Sequence, residues 1–306
     1  MIAMPEICLL GTGGMLPLKN RFLTSLFIEY NGKAVLIDCG EGTQVAFAQH
    51  ERKLSRIEMI LITHGHADHV TGLPGLLLSL GNCSRTEPLE IYYPIGWERV
   101  IKNLLSVCDC LPFPVILHSL EAEPFSWTAG QIDPMLEISA LPVDHKVPCM
   151  GYSLTLRKKP VFQPEQAKAL EIPVKFWKLL HQGEAVTLPD GRTIQPEQVT
   201  GQARKSVKIT YVTDTRPIPE IVDFARDADL FICEGMYGDT DKKESMNQKG
   251  HMLMQDACRL ASQAEAKALW LTHYSPAEMN PEIWLEDLQK IFPSVRISKD
   301  GENIIL

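Results

Sequence analysis

The amino-acid sequence predicts a layered α/β fold with functional groups at the ends of strands. Short apolar runs rich in β-branched residues alternate with segments of helical periodicity. Five of the apolar runs end in a polar residue of chemical interest. Strands of this near-continuous apolar kind are buried on both faces, and the loops that leave them are where layered α/β proteins place their sites.

The individual elements follow from the hydrophobic pattern along the chain. The predicted strands are MILITH ending at His64, LEISALPVDH ending at His145, VKITYVTD ending at Asp214, DLFICE ending at Glu234 and ALWLTH ending at His273. The predicted helices have apolar residues three and four positions apart: LPGLLLSLGN, GWERVIKNLLSVC, IPEIVDFARDA, HMLMQDACRLASQAEA and PEIWLEDLQKIF. Strands and helices therefore alternate on both sides of a less regular region around residues 155–205.

Residues 155–205 form a proline-rich, charged segment that interrupts this alternation. Its large apolar residues are too few for a separate core, so we expect one domain spanning residues 1–306 with an excursion at 155–205. Residues 151–210 contain ten Lys and Arg against five acidic residues, which is +5, whereas the remainder of the chain is −13. The segment is interpreted either as a phosphate-binding arm or as a solvated loop with ordinary lysine content.

Composition excludes several other classes of protein. The net charge of −8 argues against nonspecific coating of nucleic acid. The eight cysteines include no C-x-x-C pair, which excludes a disulfide framework and a thiolate zinc site and indicates a reducing compartment. The start of the chain has no basic region before its short apolar run, and no segment reaches about 18 uncharged apolar residues. We therefore expect a soluble cytoplasmic protein.

The stretch THGHADH, at residues 63–69, concentrates three histidines and one aspartate. Imidazole nitrogen and carboxylate oxygen suit Zn²⁺ or a similar divalent ion. His64 and His66 can share one metal, while Asp68 and His69 serve a second. A polar turn is the alternative, but crowding imidazoles together has little structural benefit.

Both proposed metals need further ligands from elsewhere in the chain. Asp214, His145 and His273, each at the end of a predicted strand, can complete the two sets of ligands. The Asp214 carboxylate would bridge two ions about 3.5–4 Å apart, and a bridging hydroxide would act as the nucleophile. Taken alone, His145 or His273 could equally be a hydrogen-bonding residue at a strand end.

The motifs resemble those of the metallo-β-lactamase superfamily and, within it, the ribonuclease Z family of tRNA 3′-processing endonucleases. The similarity covers nearly the whole chain, in the family's order: LLGTGGMLPLKNRFLTSLFI, VLIDCGEGTQ, THGHADHVTGLPGLLLSLGN, DHKVPCMGYSL, YVTDTRP, DADLFICEGMYGD, KGHMLMQDA and LTHYSP. H-x-H-x-D-H alone marks the superfamily. DCGEGTQ, LPGLL and HKVPxxGY together are more specific to the ribonuclease Z-like branch.

The resemblance implies a four-layer αββα sandwich, two zinc ions per chain, with Mn or another divalent metal as the alternative, and a homodimer. The implied ligands are His64, His66 and His145 for one metal and Asp68, His69 and His273 for the other, with Asp214 bridging. Asp68 also matches the residue thought to accept a proton from the attacking water. His251 matches a further catalytic histidine, oriented by the acid that aligns with Glu234; an exposed residue at a helix N-terminus is the alternative for His251.

Two further parts of the sequence are interpreted beside this resemblance. Asp38, in DCGEGTQ, either supports the ligand loop or is a simple turn residue.

The excursion at 155–205 occupies the position of the family's tRNA-binding arm. Its corresponding run is IPVKFWKLLHQGE, where family arms typically carry Pro-Pro-Gly-Pro. The candidate RNA-binding residues are Lys158, Lys159, Lys175, Trp177 and Lys178. The last three could instead form one face of a short amphipathic helix packed on the body.

These observations predict a zinc-dependent phosphodiesterase that removes the 3′ trailer of precursor tRNA by attack of a metal-activated hydroxide. The alternative on the same dinuclear site is a hydrolase of small phosphodiesters, such as cyclic nucleotides. A catalytically silent RNA-binding or scaffold protein is a third hypothesis, but it has no need of seven metal ligands.

Overall fold

The computed structural model describes residues 4–158, 160–202 and 204–306. The first nine strands are β1 (Glu6–Gly11), β2 (Ser25–Tyr30), β3 (Lys33–Ile37), β4 (Ile57–Leu61), β5 (Leu89–Pro94), β6 (Val115–Leu120), β7 (Phe125–Thr128), β8 (Leu136–Pro142) and β9 (Met150–Lys158). The later strands are β10 (Val186–Thr187), β11 (Thr193–Ile194), β12 (Arg204–Val212), β13 (Leu230–Glu234), β14 (Leu269–Thr272), β15 (Val295–Ile297) and β16 (Asn303–Ile305).

The helices are short, and several adjoin 3₁₀ turns. They are α1 (Thr43–Gln49), α2 (Ala67–Val70), α3 (Leu73–Asn82), α4 (Glu98–Leu105), α5 (Pro164–Ala169), α6 (Trp177–Gln182), α7 (Glu220–Phe224), α8 (Lys243–Lys249), α9 (Met254–Gln263) and α10 (Leu285–Ile291). The 3₁₀ turns are Leu54–Arg56, Val174–Phe176, Pro196–Gln198, Thr240–Lys242 and Pro281–Trp284. All the predicted strands and helices are present, although several end earlier than their sequence patterns, since the ends of an element carry the weakest hydrophobic signal.

Two mixed sheets, each of seven strands within the described residues, organise the protein. The first has the order β16-β1-β2-β3-β4-β5-β6 and the second β15-β14-β13-β12-β9-β8-β7. Strands β3 to β6 are parallel, as are β12 to β15. The carboxyl ends of parallel neighbours meet at the same edge of a sheet, so the residues that follow β12, β13 and β14 lie close together.

Each sheet is buried on both faces. In β1, Cys8 and Leu10 belong to an apolar cluster with α1, α3 and α4, whereas Leu9 points the opposite way and is equally buried. In β13, Phe231 belongs to a cluster with α7, α9 and α10, and Ile232 points the opposite way. Helices therefore cover the outer face of each sheet and the inner faces are buried, which confirms the predicted four-layer αββα sandwich.

The chain divides into two compact units: Met1–Leu154 with Lys208–Leu306, and Thr155–Val207. The second unit contains α5, α6 and the β10–β11 hairpin around a small cluster of seven buried apolar side chains: Ala167, Ile172, Leu180, Val186, Leu188, Ile194 and Val199. This cluster is larger than the sequence led us to expect, because its members are scattered singly among polar residues. The assignment of one domain with an excursion stays a prediction.

In α6 of the second unit, the indole of Trp177 packs 5.4 Å from the ring of Phe162 and donates a hydrogen bond to the Ile172 carbonyl at 2.9 Å. These contacts pack the Trp177 ring against the apolar cluster of its own unit, and its role in RNA binding stays a prediction. Among the described residues, no helix combines the length and apolar character needed to cross a membrane.

Candidate metal centre

The loop after β4 carries the concentrated histidines and is fixed by close packing. His64 is fully buried, and α2 begins directly after His66. A Cβ atom on Gly65 would lie 2.1 Å from the indole of Trp97, so only glycine fits between the two histidines. The Trp97 ring also packs 6.0 Å from the ring of His66. This packing holds the loop in the conformation that turns both imidazoles inward.

The structure brings all seven predicted ligands together from four separate segments of the chain. Within the described residues, sets whose donor atoms lie within 4.8 Å of one another include His64 with His66 and His145, Asp68 with His69 and His273, and His64 with His69 and Asp214. The first two sets are the two implied by the family resemblance. The third joins them through Asp214.

The first set has free imidazole nitrogens that point at one another. The Nε2 atom of His64 lies 2.8 Å from Nδ1 of His66. The Nδ1 atom of His145 lies 2.9 Å from the Gly250 carbonyl oxygen, to which only a protonated nitrogen can donate. Its Nε2 is therefore a lone-pair donor, and it is buried with no hydrogen-bond partner among the described residues. A cation would satisfy this orphaned nitrogen.

The second set is equally compact. The Nε2 atoms of His69 and His273 lie 3.2 Å apart. The Oδ2 atom of Asp68 is 3.7 Å and 3.4 Å from these two nitrogens, and Oδ2 of Asp214 is 3.2 Å and 3.3 Å from them. The other carboxylate oxygen of Asp214 faces His64 Nε2 at 3.9 Å. Asp214 thus presents one oxygen to each set, which is the arrangement a bridging ligand requires.

The protonation states suit divalent cations. Burial lowers the pKa values of His64, His66 and His145, so these imidazoles are in the neutral form that binds metal. Burial would raise the pKa of Asp214, but its interactions with His273 and His69 outweigh burial, lower the pKa and hold this carboxyl ionised. Burial would lower the pKa of His69, but the charges of Asp214, Asp38 and Asp68 outweigh it and raise the pKa, so this imidazole must release a proton to bind a metal. The donor set of imidazoles and carboxylates fits the chemistry of Zn²⁺ or a similar ion.

Asp38 supports the ligand loop from behind. Its fully buried carboxylate accepts hydrogen bonds from the backbone N–H of Thr63 at 2.8 Å and from Thr63 Oγ1 at 2.8 Å, and its Oδ2 lies 2.8 Å from His69 Nδ1. These contacts confirm the supporting role over the simple turn.

Asp38, Asp214 and His273 all have left-handed backbone, with φ of 60°, 53° and 58°. Such strain in non-glycine residues concentrates at functional sites.

His251 and Glu234 form a second pair beside the ligands. The Nδ1 atom of His251 lies 3.1 Å from one carboxylate oxygen of Glu234, and the backbone N–H of Thr215 donates to the other at 2.6 Å. Burial lowers the pKa of His251, but the negative charge and hydrogen bond of Glu234 outweigh it and raise the pKa to about 9. His251 is largely buried, so the exposed-residue alternative is wrong: the loop before α9 lies against the site.

A cavity of about 420 Å³ opens on His66, His145 and His251, and its lining includes Met15 and Lys249. It gives a substrate access to the exposed side of the ligand cluster.

Several contributors at the site had no sequence signal. The backbone N–H of Met15 donates to Asp68 Oδ2 at 2.6 Å, and the Gly250 carbonyl holds His145. Backbone groups carry no signature in a sequence. Thr63 Oγ1, 3.2 Å from Nδ1 of both His64 and His69, was detectable as a polar residue at the strand end directly before the histidines.

The predicted RNA-binding residues belong to the second compact unit. Lys158 is the half-buried last residue of β9, whereas Lys175 and Lys178 are exposed. The Lys175 ammonium lies 4.9 Å from the centre of the Phe176 ring. Lys159 lies outside the described residues. The role of these residues in RNA binding stays a prediction.

Comparison with known proteins identifies two family matches. Residues 5–106 match the family described as Anti-Pycsar protein Apyc1, and residues 168–274 match the Beta-lactamase superfamily domain. Among solved structures, human tRNase Z, short form, superposes with a TM-score of 0.68 at 23% identity, covering 98% of each chain. The metallo-beta-lactamase fold protein YhfI from Bacillus subtilis superposes with a TM-score of 0.70 at 18% identity, covering 99% of this chain and 100% of that one. At these identities the likeness shows the fold.

Curated relatives are similar over nearly their whole length. The chain is 45% identical to Ribonuclease Z of Clostridium acetobutylicum over 97% of this chain and 96% of the relative. It is 42% identical to Ribonuclease Z of Lachnoclostridium phytofermentans over 99% of this chain and 98% of the relative. The chain therefore belongs to the ribonuclease Z family, the metal-dependent endoribonucleases of the metallo-β-lactamase superfamily.

Proposed function

We propose that this protein is a zinc-dependent endoribonuclease that removes the 3′ trailer from precursor tRNA. The observation that carries the proposal is the convergence of the two ligand sets, with Asp214 between them, in a chain 45% identical to a Ribonuclease Z. The curated relatives do not favour the alternative of a hydrolase specific for small phosphodiesters.

His64, His66 and His145 would hold one ion, and Asp68, His69 and His273 the other, with Asp214 shared. Bound divalent ions supply Lewis-acid activation of water and neutralise charge on the phosphate. The ligands come from four segments far apart in the chain, so their geometry depends on the folded sandwich. The hydrogen bond from Met15 N–H to Asp68 and that between Asp38 and His69 orient two of them before any ion binds.

Asp68 and His251 would move the protons. Burial would raise the pKa of Asp68, but its interactions with His69 and His273 outweigh burial and lower the pKa. The carboxyl is therefore ionised, which is the form that would accept a proton from the attacking water. His251, with its pKa raised to about 9, is protonated at neutral pH and would donate to the departing 3′ oxygen. Glu234 holds the His251 ring through Nδ1 and leaves Nε2 as the donor.

The basic segment at 155–205 would hold the RNA. Lys175 and Lys178 are exposed cations, suited to phosphate contacts, whereas Trp177 packs within its own unit.

We also propose that the protein is a homodimer, which light scattering would test. We propose a cytoplasmic location, which agrees with the eight free cysteines in the described chain.

The direct test is cleavage of precursor tRNA by the zinc-loaded protein, with the cut mapped by sequencing of the product ends. We expect a single cut near the 3′ end of the mature tRNA and none by His66→Ala, which lacks one ligand of the first set. Hydrolysis of bis(p-nitrophenyl) phosphate is measured in parallel. Turnover of this ester with no cleavage of any precursor tRNA would refute the proposed substrate and leave the metal centre intact.

A further inference from the structure

We infer that Arg216 is a positioning residue that links the three segments carrying Asp214, His145 and His251, and thereby sets the geometry of the first metal position. The inference rests on the metal centre of the proposed function. Arg216 lies two residues after Asp214 in the loop that follows β12. Its hydrogen bonds run to the two other segments.

The first link joins Arg216 to the segment that carries His145. The Arg216 Nη1 atom donates to Oδ1 of Asp144 at 2.9 Å, and the Arg216 backbone N–H donates to the Asp144 carbonyl at 2.9 Å. The Asp144 N–H in turn donates to Oγ1 of Thr215 at 3.0 Å. Two backbone bonds and one ion pair therefore hold residue 144, directly before the ligand His145.

The second link joins Arg216 to the end of α8. Its Nε atom donates to the carbonyl oxygen of Asn247 at 2.6 Å. This carbonyl is one of the last in α8, where a cation is favoured by the helix dipole, and it also accepts a hydrogen bond from the Gly250 backbone N–H at 3.2 Å. The chain then turns at Gly250, whose φ of 83° ends the helix and whose carbonyl holds His145 Nδ1. His251 follows directly.

The two links converge on one imidazole. His145 is held from its own backbone side through Asp144 and from its ring side through Gly250, and Arg216 contacts both segments. A guanidinium can donate along two directions at once, whereas a lysine ammonium offers a single point charge. Without Arg216, the α8 end and the His145 loop can move apart, and the imidazole loses its fixed tautomer and direction.

The test compares Arg216→Met, Arg216→Lys and Asp144→Ala with Arg226→Met. Arg226 is a matched control because it pairs with Asp223 on the exposed surface of α7, at 2.5 Å. Two quantities are measured: the rate of zinc release to a chromophoric chelator without RNA, and kcat and KM for bis(p-nitrophenyl) phosphate.

Loss of a residue that orients a metal ligand typically weakens metal binding or activity by about 10–100-fold. We expect zinc release from Arg216→Met to be faster by at least about tenfold, with a comparable fall in kcat and little change in KM. Arg216→Lys should recover part of both, and Asp144→Ala, which removes one link only, should show a smaller effect. Arg226→Met should behave as the wild type.

A folded Arg216→Met that releases zinc at the wild-type rate and retains kcat would overturn the inference, even if its thermal stability falls. Full recovery by Arg216→Lys would contradict a two-directional link, and equal effects in Arg226→Met would show a general structural cause. If Arg216→Met does not fold, Asp144→Ala decides, and wild-type zinc release in that variant overturns the inference. A wild-type protein that binds no zinc would instead refute the proposed centre itself.

Discussion

Asp38, Thr63 and Glu234 orient residues of the candidate centre but are not among its predicted metal ligands. The Asp38 carboxylate contacts His69 directly and accepts a hydrogen bond from Thr63 at the end of the strand. Its charge and its hydrogen bonds therefore both act on the His69 imidazole. Burial raises the pKa of Asp38 against the opposing influence of His69, so it is the contact with His69 that keeps an ionised form accessible. Glu234 orients His251 in the same way. At this scale, side chains one contact removed from the predicted ligands and from His251 orient the candidate centre.

Asp38→Asn should weaken zinc binding by about 10–100-fold, because an amide is a poorer acceptor for the His69 N–H and can present its NH₂ group instead. Isothermal titration or chelator competition measures the affinity. Asp223→Asn, an exposed carboxylate paired with Arg226, serves as the control. Equal zinc affinity in Asp38→Asn and the wild type would show that Asp38 has no influence on the metal position.

The cysteines should divide by burial. Cys83 and Cys110 are exposed, and the other six are buried. Burial raises the pKa of Cys258 to about 12, which leaves almost no thiolate to react. We expect no more than two thiols to react rapidly with Ellman's reagent in the native protein and all eight after unfolding. Rapid reaction of a third thiol in the native state would be inconsistent with this packing.

The elements that matter most are the strands whose carboxyl ends supply the site. Strands β12, β13 and β14 are parallel neighbours, with Val212 opposite Cys233 and Glu234 opposite Thr272. Asp214, Glu234 and His273 follow from this register. On the other sheet, β3 and β4 deliver Asp38 and the histidine loop. The side chains on these short loops can differ in chemistry, because the sheets fix the positions from which the loops leave.

Gly65→Ala tests the packing of the histidine loop. The added methyl group would lie 2.1 Å from the Trp97 indole, so the ring or the loop must move. Overpacking of this kind costs about 1–3 kcal/mol in the free energy of unfolding. Thermal unfolding with and without zinc measures the loss. Gly130→Ala is the control, since no atom of the described part of the chain lies within 4 Å of its added Cβ. Equal stability of the two variants would contradict the close contact with Trp97.

The whole molecule separates charge by segment, with an acidic body and the basic excess in the stretch that includes the second compact unit. The net charge alone hides this distribution. A chain with an average of −8 would repel RNA at long range, whereas a localised excess of lysine and arginine attracts phosphate within about one Debye length. The residues proposed to bind RNA and those proposed to bind the metals can therefore be mutated independently.

Lys175→Glu combined with Lys178→Glu should raise the KM for precursor tRNA and reduce the salt dependence of RNA binding. Each lost phosphate contact lowers the slope of log K against log salt by about one. Turnover of bis(p-nitrophenyl) phosphate should be unchanged. Lys102→Glu with Lys290→Glu, on α4 and α10, is the charge-matched control. If both double variants weaken RNA binding equally, general charge explains the effect and not this segment.

The sequence by itself determined which side chains form the candidate centre. H-x-H-x-D-H places four donors within one loop, and polar residues at the ends of apolar strands nominated His145, Asp214 and His273. These signals are local, because a strand and the residue that ends it are adjacent in the chain. The layered class followed from the same pattern, as did the pairing of His251 with Glu234 through the family resemblance.

Only the tertiary structure decided how these groups act on one another. The division of the Asp214 oxygens between two sets, the tautomer of His145 set by the Gly250 carbonyl, and the contacts of Arg216 all join segments far apart in the chain. The small core of the second unit was equally hidden, because single apolar residues there meet only after the chain folds back. Backbone carbonyls and N–H groups are common to every residue, so their positions depend on strand register and loop conformation, which no local pattern encodes.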